Sequence, residues 1–310
     1  MILCIGPTPA IQRVMVFPKL TLDAVNRASQ TAEGIAGKSI NVAKVLNQLG
    51  ERVVATGFAG GDRGVQLLAQ LQARQVQVEF VRAGTPTRQC TTVIDQAAGT
   101  ITELVEESQP VPGPAYDQLK SIIQQRTPGS VAVVMSGTIT PGGPADLYRW
   151  CTELANQSGA LSVVDAQGAP LLEALKARPG LVKPNKAELA ATVGKTLKDD
   201  FAVLAAVREV HDQGAKQIVV TAGKDPTLAF DGRTFWKIFS PRIAAINPIG
   251  SGDAFTAGLV WRLSRGDNLG EACRWAAAVG TANALTLLAG EINPPDVDRL
   301  VREVTVQHVL

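Results

Sequence analysis

Residues 247–258 carry the combination of residue types in this sequence that is best suited to chemistry. They read NPIGSGDAFTAG, so a glycine-rich turn leads directly into an apolar helical stretch. Backbone N–H groups at a helix start carry partial positive charge, and glycines let an anion approach them closely. Gly250, Ser251 and Gly252 therefore form a candidate anion site, beside which Asp253 supplies a carboxylate. A proton acceptor next to a bound phosphoryl group is what phosphoryl transfer requires.

The glycine-rich segments also permit other interpretations. Asp253 could act only as a helix cap after a tight turn. Residues 34–43 contain Gly-Lys-Ser, but a P-loop would require glycine at position 32, where the sequence has Ala32. The turn after the first apolar run reads IGPT and lacks the GxGxxG spacing, which argues against a dinucleotide-binding fold.

These motifs, in this order, resemble the ribokinase-like carbohydrate kinases of the phosphofructokinase-B type. NPIGSGDAFTAG is similar to the C-terminal signature of that family, and GKSINVAKVLNQLG at residues 37–50 is similar to the N-terminal one. The likeness covers nearly the whole chain and is greatest to the 1-phosphofructokinase and tagatose-6-phosphate kinase branch. It implies an ATP-dependent sugar-phosphate kinase of the 1-phosphofructokinase, 6-phosphofructokinase or tagatose-6-phosphate kinase type. Such an enzyme uses ATP and Mg²⁺ and transfers the γ-phosphoryl group to a primary hydroxyl.

The resemblance also implies a role for each matching position. Asp253 would be the catalytic base, and Gly250, Ser251 and Gly252 would form the anion hole. Glu188 would hold Mg²⁺ through water. The implied ATP-binding residues are Lys183, Asn185, Thr221, Gly223 and Asn283. The implied substrate-binding residues are Gln12, Arg27, Gly37, Lys38, Asn41, Arg88 and Ser136.

Within the substrate-binding set, Arg27, Lys38 and Arg88 would bind the phosphate that the sugar already carries. A purely structural interpretation is open for several of these residues. Lys183 could be a solvated strand end and Glu188 a helix first-turn charge. Arg27 and Arg88 could equally be surface charges.

Several positions depart from the family pattern, among them Gln12, Ala36, Ser39, Gln167 and Pro226. Gln12 stands where the family usually has an aspartate that grips sugar hydroxyls, and an amide offers fewer acceptor sites than a carboxylate. Ser39 and Pro226 stand where the family usually has glycine. We therefore expect weak activity on ketohexose phosphates, and a gain of about tenfold from Gln12→Asp. Two alternatives stay open: a kinase for a different sugar-like substrate, or a catalytically weak binding or regulatory protein that keeps the fold.

The elements around these motifs predict an α/β fold, because short β-branched runs alternate with helical patterns. The predicted strands are residues 2–5, 53–58, 131–135, 161–165, 181–183 and 217–221. The predicted helices are residues 40–49, 64–74, 116–125, 145–158, 186–192 and 203–213, followed by three consecutive helices at 253–265, 269–289 and 294–304. Together with the resemblance, this predicts a ribokinase-like fold with a central, mostly parallel sheet, helices on both faces and a small β-sheet lid.

Two segments do not follow the strand–helix alternation. Residues 11–31 and 87–106 have the two-residue alternation of hairpin strands, so we assign them to the lid. We expect residues 1–310 to form a single kinase domain. The resemblance implies that the lid can mediate a homodimer.

Composition excludes several classes of protein. With 45% hydrophobic and 19% charged residues the chain is too apolar to be disordered. The 30 basic and 28 acidic residues are mixed along the chain, which predicts no nucleic-acid partner. The four cysteines form no CxxC pair, and we find no signal peptide or membrane span. We therefore expect a cytoplasmic protein that acts on a sugar or sugar phosphate.

Overall fold

The computed structural model describes residues 1–309. The strands are β1 (Ile2–Ile5), β2 (Ala10–Phe17), β3 (Gln30–Ala36), β4 (Val53–Thr56), β5 (Phe58–Ala59), β6 (Gln77–Val78), β7 (Val81–Arg82), β8 (Arg88–Asp95), β9 (Thr100–Val105), β10 (Ala132–Ser136), β11 (Leu161–Asp165), β12 (Leu181–Val182), β13 (Ile218–Ala222), β14 (Asp225–Phe230), β15 (Phe235–Phe239) and β16 (Thr305–Val309). The helices are α1 (Lys38–Gln48), α2 (Gly61–Ala73), α3 (Gly113–Arg126), α4 (Leu147–Gln157), α5 (Ala169–Leu175), α6 (Lys186–Val193), α7 (Asp200–Asp212), α8 (Ser251–Leu263), α9 (Leu269–Ala284) and α10 (Pro294–Leu300).

The central sheet has the strand order β16-β15-β14-β13-β12-β11-β10-β1-β4-β6. The neighbouring strands β13, β12, β11, β10, β1, β4 and β6 run parallel, and β14, β15 and β16 form an antiparallel edge. The parallel strands are apolar on both faces because helices cover both. Helices α1, α2, α8, α9 and α10 pack on one face, and α3 to α7 pack on the other.

A separate four-stranded sheet, β3-β2-β8-β9, forms the lid. Strand β2 lies parallel to β8 and antiparallel to β3, with Gln12 paired to both Gly34 and Cys90. On one face of the lid, valines of β2 pack against Leu287 and Leu288 of the loop that follows α9. Strand β3 extends past the predicted limit of residue 31, because it pairs with β2 as far as Ala36, which lies opposite Ala10.

The predicted strands and helices are all present with shifted ends, but other elements were missed. The antiparallel edge of β14, β15 and β16 and the short helix α5 were not predicted. Residues 285–289 were predicted as helix, yet α9 ends at Ala284. The chain leaves the helix there because Thr286 Oγ1 donates to the carbonyls of Asn283 and Leu288. No helix within residues 1–309 is both long enough and apolar enough to cross a membrane.

Candidate active site

The carboxyl ends of the parallel strands meet at one edge of the central sheet, and candidate residues stand at several of these ends. Ser136 ends β10, Asp165 ends β11, Lys183 follows β12 and Thr221 is the last residue but one of β13. In open α/β sheets this edge is where ligands bind. The topology therefore brings together residues that are far apart in the sequence.

The turn before α8 has the geometry of an anion site. Gly250 is the N-cap residue with φ of 85°, a left-handed conformation that favours glycine. A Cβ on Gly250 would lie 2.7 Å from Cβ of Ala289, so glycine is also required for space. Lys183 Nζ lies close to the turn, at 3.9 Å from the position of a Cβ on Gly252. An anion bound at the helix start would therefore meet both N–H groups and an ammonium group.

Asp253 lies in the first turn of α8 and is held by Asn41, whose Nδ2 donates to its Oδ2 over 2.7 Å. Burial and then the neighbouring Asp165 carboxylate raise the pKa of Asp253 to about 6, although Lys38 and the Asn41 hydrogen bond act in the opposite direction. A carboxylate with a pKa near the working pH is suited to accept a proton in a reaction.

Asp165 is a central residue of this site, and the sequence analysis did not identify it. Its buried carboxylate lies 2.9 Å from Lys38 Nζ and 3.1 Å from Lys183 Nζ. Thr256 Oγ1 also donates to it over 2.8 Å. Burial alone would raise the pKa of Asp165, but the two ammonium groups outweigh it and hold the pKa below its usual range. The signal in the sequence was a buried strand, LSVVD, that ends in an acidic residue.

Lys38 also belongs to this cluster. Besides Asp165, its Nζ lies 3.3 Å from Oε1 of Glu188. Burial alone would lower the pKa of Lys38, but Asp165, Glu188 and Asp253 outweigh it and raise the pKa above its usual range. Lys38 and Lys183 therefore form a pair of ammonium groups around one buried carboxylate, next to the anion turn.

Glu188 serves a structural role, and its position also fits a bound cation. Asn185 and Glu188 form a capping box at the start of α6, so the first-turn interpretation of Glu188 is correct. Its second oxygen, Oε1, faces Lys38. Within residues 1–309 no three acidic, histidine or cysteine side chains form a closed metal cage. Mg²⁺ usually takes one or two carboxylates and completes its shell with water and phosphates, so an open site of this kind fits it.

Three buried polar atoms on the predicted sugar side have no hydrogen-bond partner among residues 1–309: Asn41 Oδ1, Arg88 Nε and Ser136 Oγ. The terminal nitrogens of Arg88 donate to the carbonyls of Thr8 and Glu106, each over 3.2 Å. Buried polar atoms are normally paired, so this set fits a polar ligand that completes their hydrogen bonds.

Gln12 lies inside the protein and has internal partners. Its side chain is 1% exposed, its Oε1 accepts from the backbone N–H of Ala289 over 3.0 Å, and its Nε2 donates to Thr92 Oγ1 over 3.5 Å. The side-chain oxygen of Gln12, which we expected to accept from a sugar hydroxyl, is thus already engaged in an internal hydrogen bond. The role of Gln12 in substrate choice stays a prediction, but the structure assigns the residue a contact between the lid and the loop after α9.

The departures at Ser39 and Pro226 are accommodated by their surroundings. Ser39 is buried, and its Oγ fills the space beside Gly6, where a Cβ would lie only 1.9 Å from that oxygen. Pro226 lies in β14, where extended backbone suits proline.

The remaining candidates differ in placement. Gly37 is the N-cap residue of α1, directly before Lys38. Thr221 pairs with Asn185 in an isolated bridge, and Gly223 lies in the exposed turn after β13.

Asn283 is fully buried, and its amide supports the anion turn from behind. Its Nδ2 donates to the carbonyl of Ile249, and its Oδ1 accepts from the N–H of Gly290. Arg27 is exposed in the loop between β2 and β3 and makes no ion pair or side-chain hydrogen bond within residues 1–309. No ion pair or side-chain hydrogen bond within residues 1–309 therefore joins Arg27 to the other candidates.

Comparisons with known proteins agree with this geometry. A family model described as pfkB family carbohydrate kinase matches residues 1–295. The chain is 30% identical over 312 residues to a tagatose-6-phosphate kinase from Staphylococcus epidermidis, and the match covers 100% of each.

Solved structures extend the comparison to the fold. Phosphofructokinase-2 from Escherichia coli, in complex with substrates and products, matches with a TM-score of 0.90 and 26% identity over 97% of this chain and 98% of that chain. A ribokinase from Arabidopsis thaliana, complexed with ribose and ATP, matches with a TM-score of 0.76 and 18% identity over 97% and 98% of the two chains. The latter shows a likeness of fold alone. The predicted ribokinase-like fold is confirmed.

Proposed function

The chain belongs to the pfkB family of carbohydrate kinases, and we propose that it uses ATP to phosphorylate a primary hydroxyl of a sugar phosphate. The observation that carries this proposal is the position of Asp253. It stands in the first turn of α8 behind a glycine-rich anion turn, and Asn41 holds one of its oxygens. The pair of Lys38 and Lys183 lies on the same edge of the sheet.

In the proposed reaction, Asp253 takes the proton of the attacking hydroxyl, and its pKa of about 6 leaves it ionised at neutral pH. The N–H groups at the start of α8 stabilise the transferred phosphoryl group. Lys38 and Lys183 supply positive charge beside it, held in place by Asp165. Glu188 would hold Mg²⁺ through water, and when bound this ion supplies charge neutralisation at the β- and γ-phosphates.

The sugar side of the proposal rests on the unpartnered buried atoms. Asn41 Oδ1 would accept from a sugar hydroxyl, and Arg88 Nε would donate to the phosphate of the substrate. Arginine binds phosphate through charge-assisted hydrogen bonds, which are among the stronger ones. Because Lys38 is engaged with Asp165 and Glu188, we place it on the side of the transferred phosphoryl group. Arg88 is then the principal residue for the phosphate of the sugar.

The experiment that tests this function is a coupled ADP-release assay with ATP and Mg²⁺. The panel contains fructose 1-phosphate, fructose 6-phosphate, tagatose 6-phosphate and the corresponding free sugars, with Asp253→Asn as the inactive control. We expect turnover on at least one phosphosugar that exceeds turnover on every free sugar. Turnover on free sugars alone would support the alternative of a kinase for another sugar-like substrate.

Absence of ADP release on the whole panel, together with measurable binding of ATP or a phosphosugar by calorimetry, would contradict the proposal. That result would favour a binding or regulatory protein that keeps the fold. ADP release on the one hand, and binding without ADP release on the other, therefore distinguish an enzyme from a binding protein.

The proposal includes a homodimer through the lid. Four large hydrophobic side chains of the lid and its long loop are exposed: Leu22, Val25, Leu104 and Val105. A second copy of the lid would remove such side chains from water. Light scattering after gel filtration should give twice the chain mass, and Leu104→Glu should shift the mass toward that of the monomer. A monomeric wild-type protein at micromolar concentration would contradict this part of the proposal.

A further inference from the structure

Lys44 is a buried ammonium group to which the proposed reaction assigns no role. It lies on α1, and its side chain is fully buried. Its Nζ donates to the carbonyls of Ala289 over 2.7 Å and Ile35 over 3.1 Å, and lies 3.0 Å from Oε1 of Glu291. Burial of a charge is costly unless it is paired and hydrogen-bonded, and Lys44 meets both conditions.

Lys44 is part of a row of polar residues on one face of α1. Asn41, Lys44 and Gln48 are three and four positions apart, so they face the same side of the helix. Gln48 Nε2 donates to the carbonyl of Gly290, and Gln48 Oε1 accepts from the N–H of Ile292. Lys44 and Gln48 therefore bind three backbone groups within residues 289–292.

Residues 289–292 contact both Asn41 on α1 and the anion turn before α8. A Cβ on Gly290 would lie 2.8 Å from Cα of Asn41, so the segment packs directly on α1. Ala289 packs against Gly250 in the anion turn. Both polar backbone groups of Ala289 are also held, its N–H by Gln12 of the lid and its carbonyl by Lys44. Residues 289–292 thus pack against both α1 and the start of α8, two helices that also contact each other directly.

We propose that Lys44 is a positioning residue that sets Asn41 against Asp253 by clamping the backbone of Ala289. It does not touch the substrate; through Ala289 it fixes the position of α1, which carries Asn41 and Lys38, against the start of α8, which carries Asp253. The inference rests on the proposed kinase function for its kinetic consequences. A small misplacement of a catalytic group lowers the rate steeply, so the clamp should matter for kcat more than for substrate binding.

Two variants separate this role from a merely structural one. Lys44→Met removes all three donor contacts, whereas Glu291→Gln removes the charge partner and leaves Lys44 bound to Ala289. We expect Lys44→Met to lower kcat about 10- to 100-fold, with KM within about threefold of wild type. Glu291→Gln should keep kcat within about threefold. Activity is measured well below the melting temperature of each variant and per folded protein.

A kcat that falls equally in both variants, in step with their loss of thermal stability, would overturn the proposal. If Lys44→Met does not fold, Lys44→Gln takes its place, with kcat expected to fall at least about fivefold. An unchanged kcat in a folded Lys44→Gln protein would likewise overturn it.

A second measurement does not require activity. Asn41 lowers the pKa of Asp253 through its hydrogen bond, so loosening that contact should raise this pKa. The charged groups that face Asp253 are Asp165, Lys38 and Lys183, and none of them is changed in the variants. Carbon-detected NMR titration of Asp253 should therefore give a higher pKa in Lys44→Met than in wild type or Glu291→Gln. An equal pKa in all three would contradict the clamp, whereas an inactive wild-type protein would contradict only the proposed function.

Discussion

Asn41 Nδ2 lies 2.7 Å from Oδ2 of Asp253, and the other amide atom of Asn41, Oδ1, is buried without a partner among residues 1–309. One side chain therefore holds the proposed base, and under the proposed function its other amide atom would accept from the substrate. A sugar hydroxyl that donates to Asn41 Oδ1 would be placed next to the carboxylate that takes a proton. Positioning of this kind converts binding into rate.

Replacement of the proposed base should abolish most turnover. Asp253→Asn keeps the size of the side chain but removes proton acceptance, so we expect kcat to fall about 10²- to 10⁴-fold. The affinity for ATP, measured by calorimetry, should stay close to that of wild type. Asp212→Asn, at an exposed position of α7, is the matched control and should be fully active. If Asp253→Asn keeps more than about a tenth of the wild-type kcat, Asp253 is not the base.

The rate should depend on pH through Asp253. Because its pKa is raised to about 6, kcat/KM should fall with a slope of one as the pH drops below that value. A profile that is flat down to pH 5 would assign the essential base to another group. Stopped-time assays in a constant-ionic-strength buffer measure this profile without a change in screening.

The raised pKa of Asp253 should also make the stability of the folded protein depend on pH. The pKa of Asp253 in the folded protein lies above its unfolded value of about 3.9, so the folded state binds the proton more tightly and ionisation costs stability. The cost grows as the pH rises from about 4 to 6 and is complete above it. Asp253→Asn should therefore melt above wild type at pH 8 and equal to it near pH 4. A lower melting temperature for the variant at pH 8 would contradict the raised pKa.

Arg88 should bind the phosphate of the substrate. Its Nε is buried without a partner among residues 1–309, so a phosphate oxygen would complete its hydrogen bonds. Arg88→Ala should raise KM for the best phosphosugar strongly and change kcat less, because the contact exists in ground and transition states alike. Arg63→Ala removes an exposed arginine that also contacts Glu106 and should leave KM unchanged. An unchanged KM in Arg88→Ala would remove Arg88 from the site.

Gln12 should contribute to stability through the lid. Gln12→Ala leaves the N–H of Ala289 buried without an acceptor, which typically costs about 1–3 kcal/mol of unfolding free energy. Thr92→Val removes only the 3.5 Å contact to Gln12 and should cost clearly less. Urea denaturation of both variants measures the difference. Equal stability of Gln12→Ala and wild type would contradict the lid contact.

The internal hydrogen bonds of Gln12 argue against the gain expected from Gln12→Asp. A shorter side chain cannot reach Ala289 as Gln12 does, and it would bring a charge into a position that is 1% exposed. We now expect Gln12→Asp to be less stable than wild type and to gain no activity on ketohexose phosphates. A tenfold gain on any of them would restore the original interpretation that Gln12 faces the sugar.

The sequence alone determined those features whose physics is local. The anion turn and Asp253 lie within four consecutive residues, so glycine content and the start of a helix were enough to identify them. The parallel strands were also predictable, because burial on both faces leaves an uninterrupted apolar run. The first-turn position of Glu188 was open to the sequence for the same reason, whereas its capping box with Asn185 was seen only in the structure.

Only the tertiary structure decided which side chains share the site. Asp165 binds Lys38 across 127 positions, Gln12 binds Ala289 across 277, and Lys44 binds Ala289 across 245. No periodicity in the chain encodes such pairs, because they depend on which strands become neighbours and on how α1 packs against α8. In the antiparallel edge, only the pairing of β15 with β16 has this long-range character, because β13, β14 and β15 are consecutive strands joined by short turns. Local patterns place residues on elements, whereas long-range packing decides what each side chain contacts.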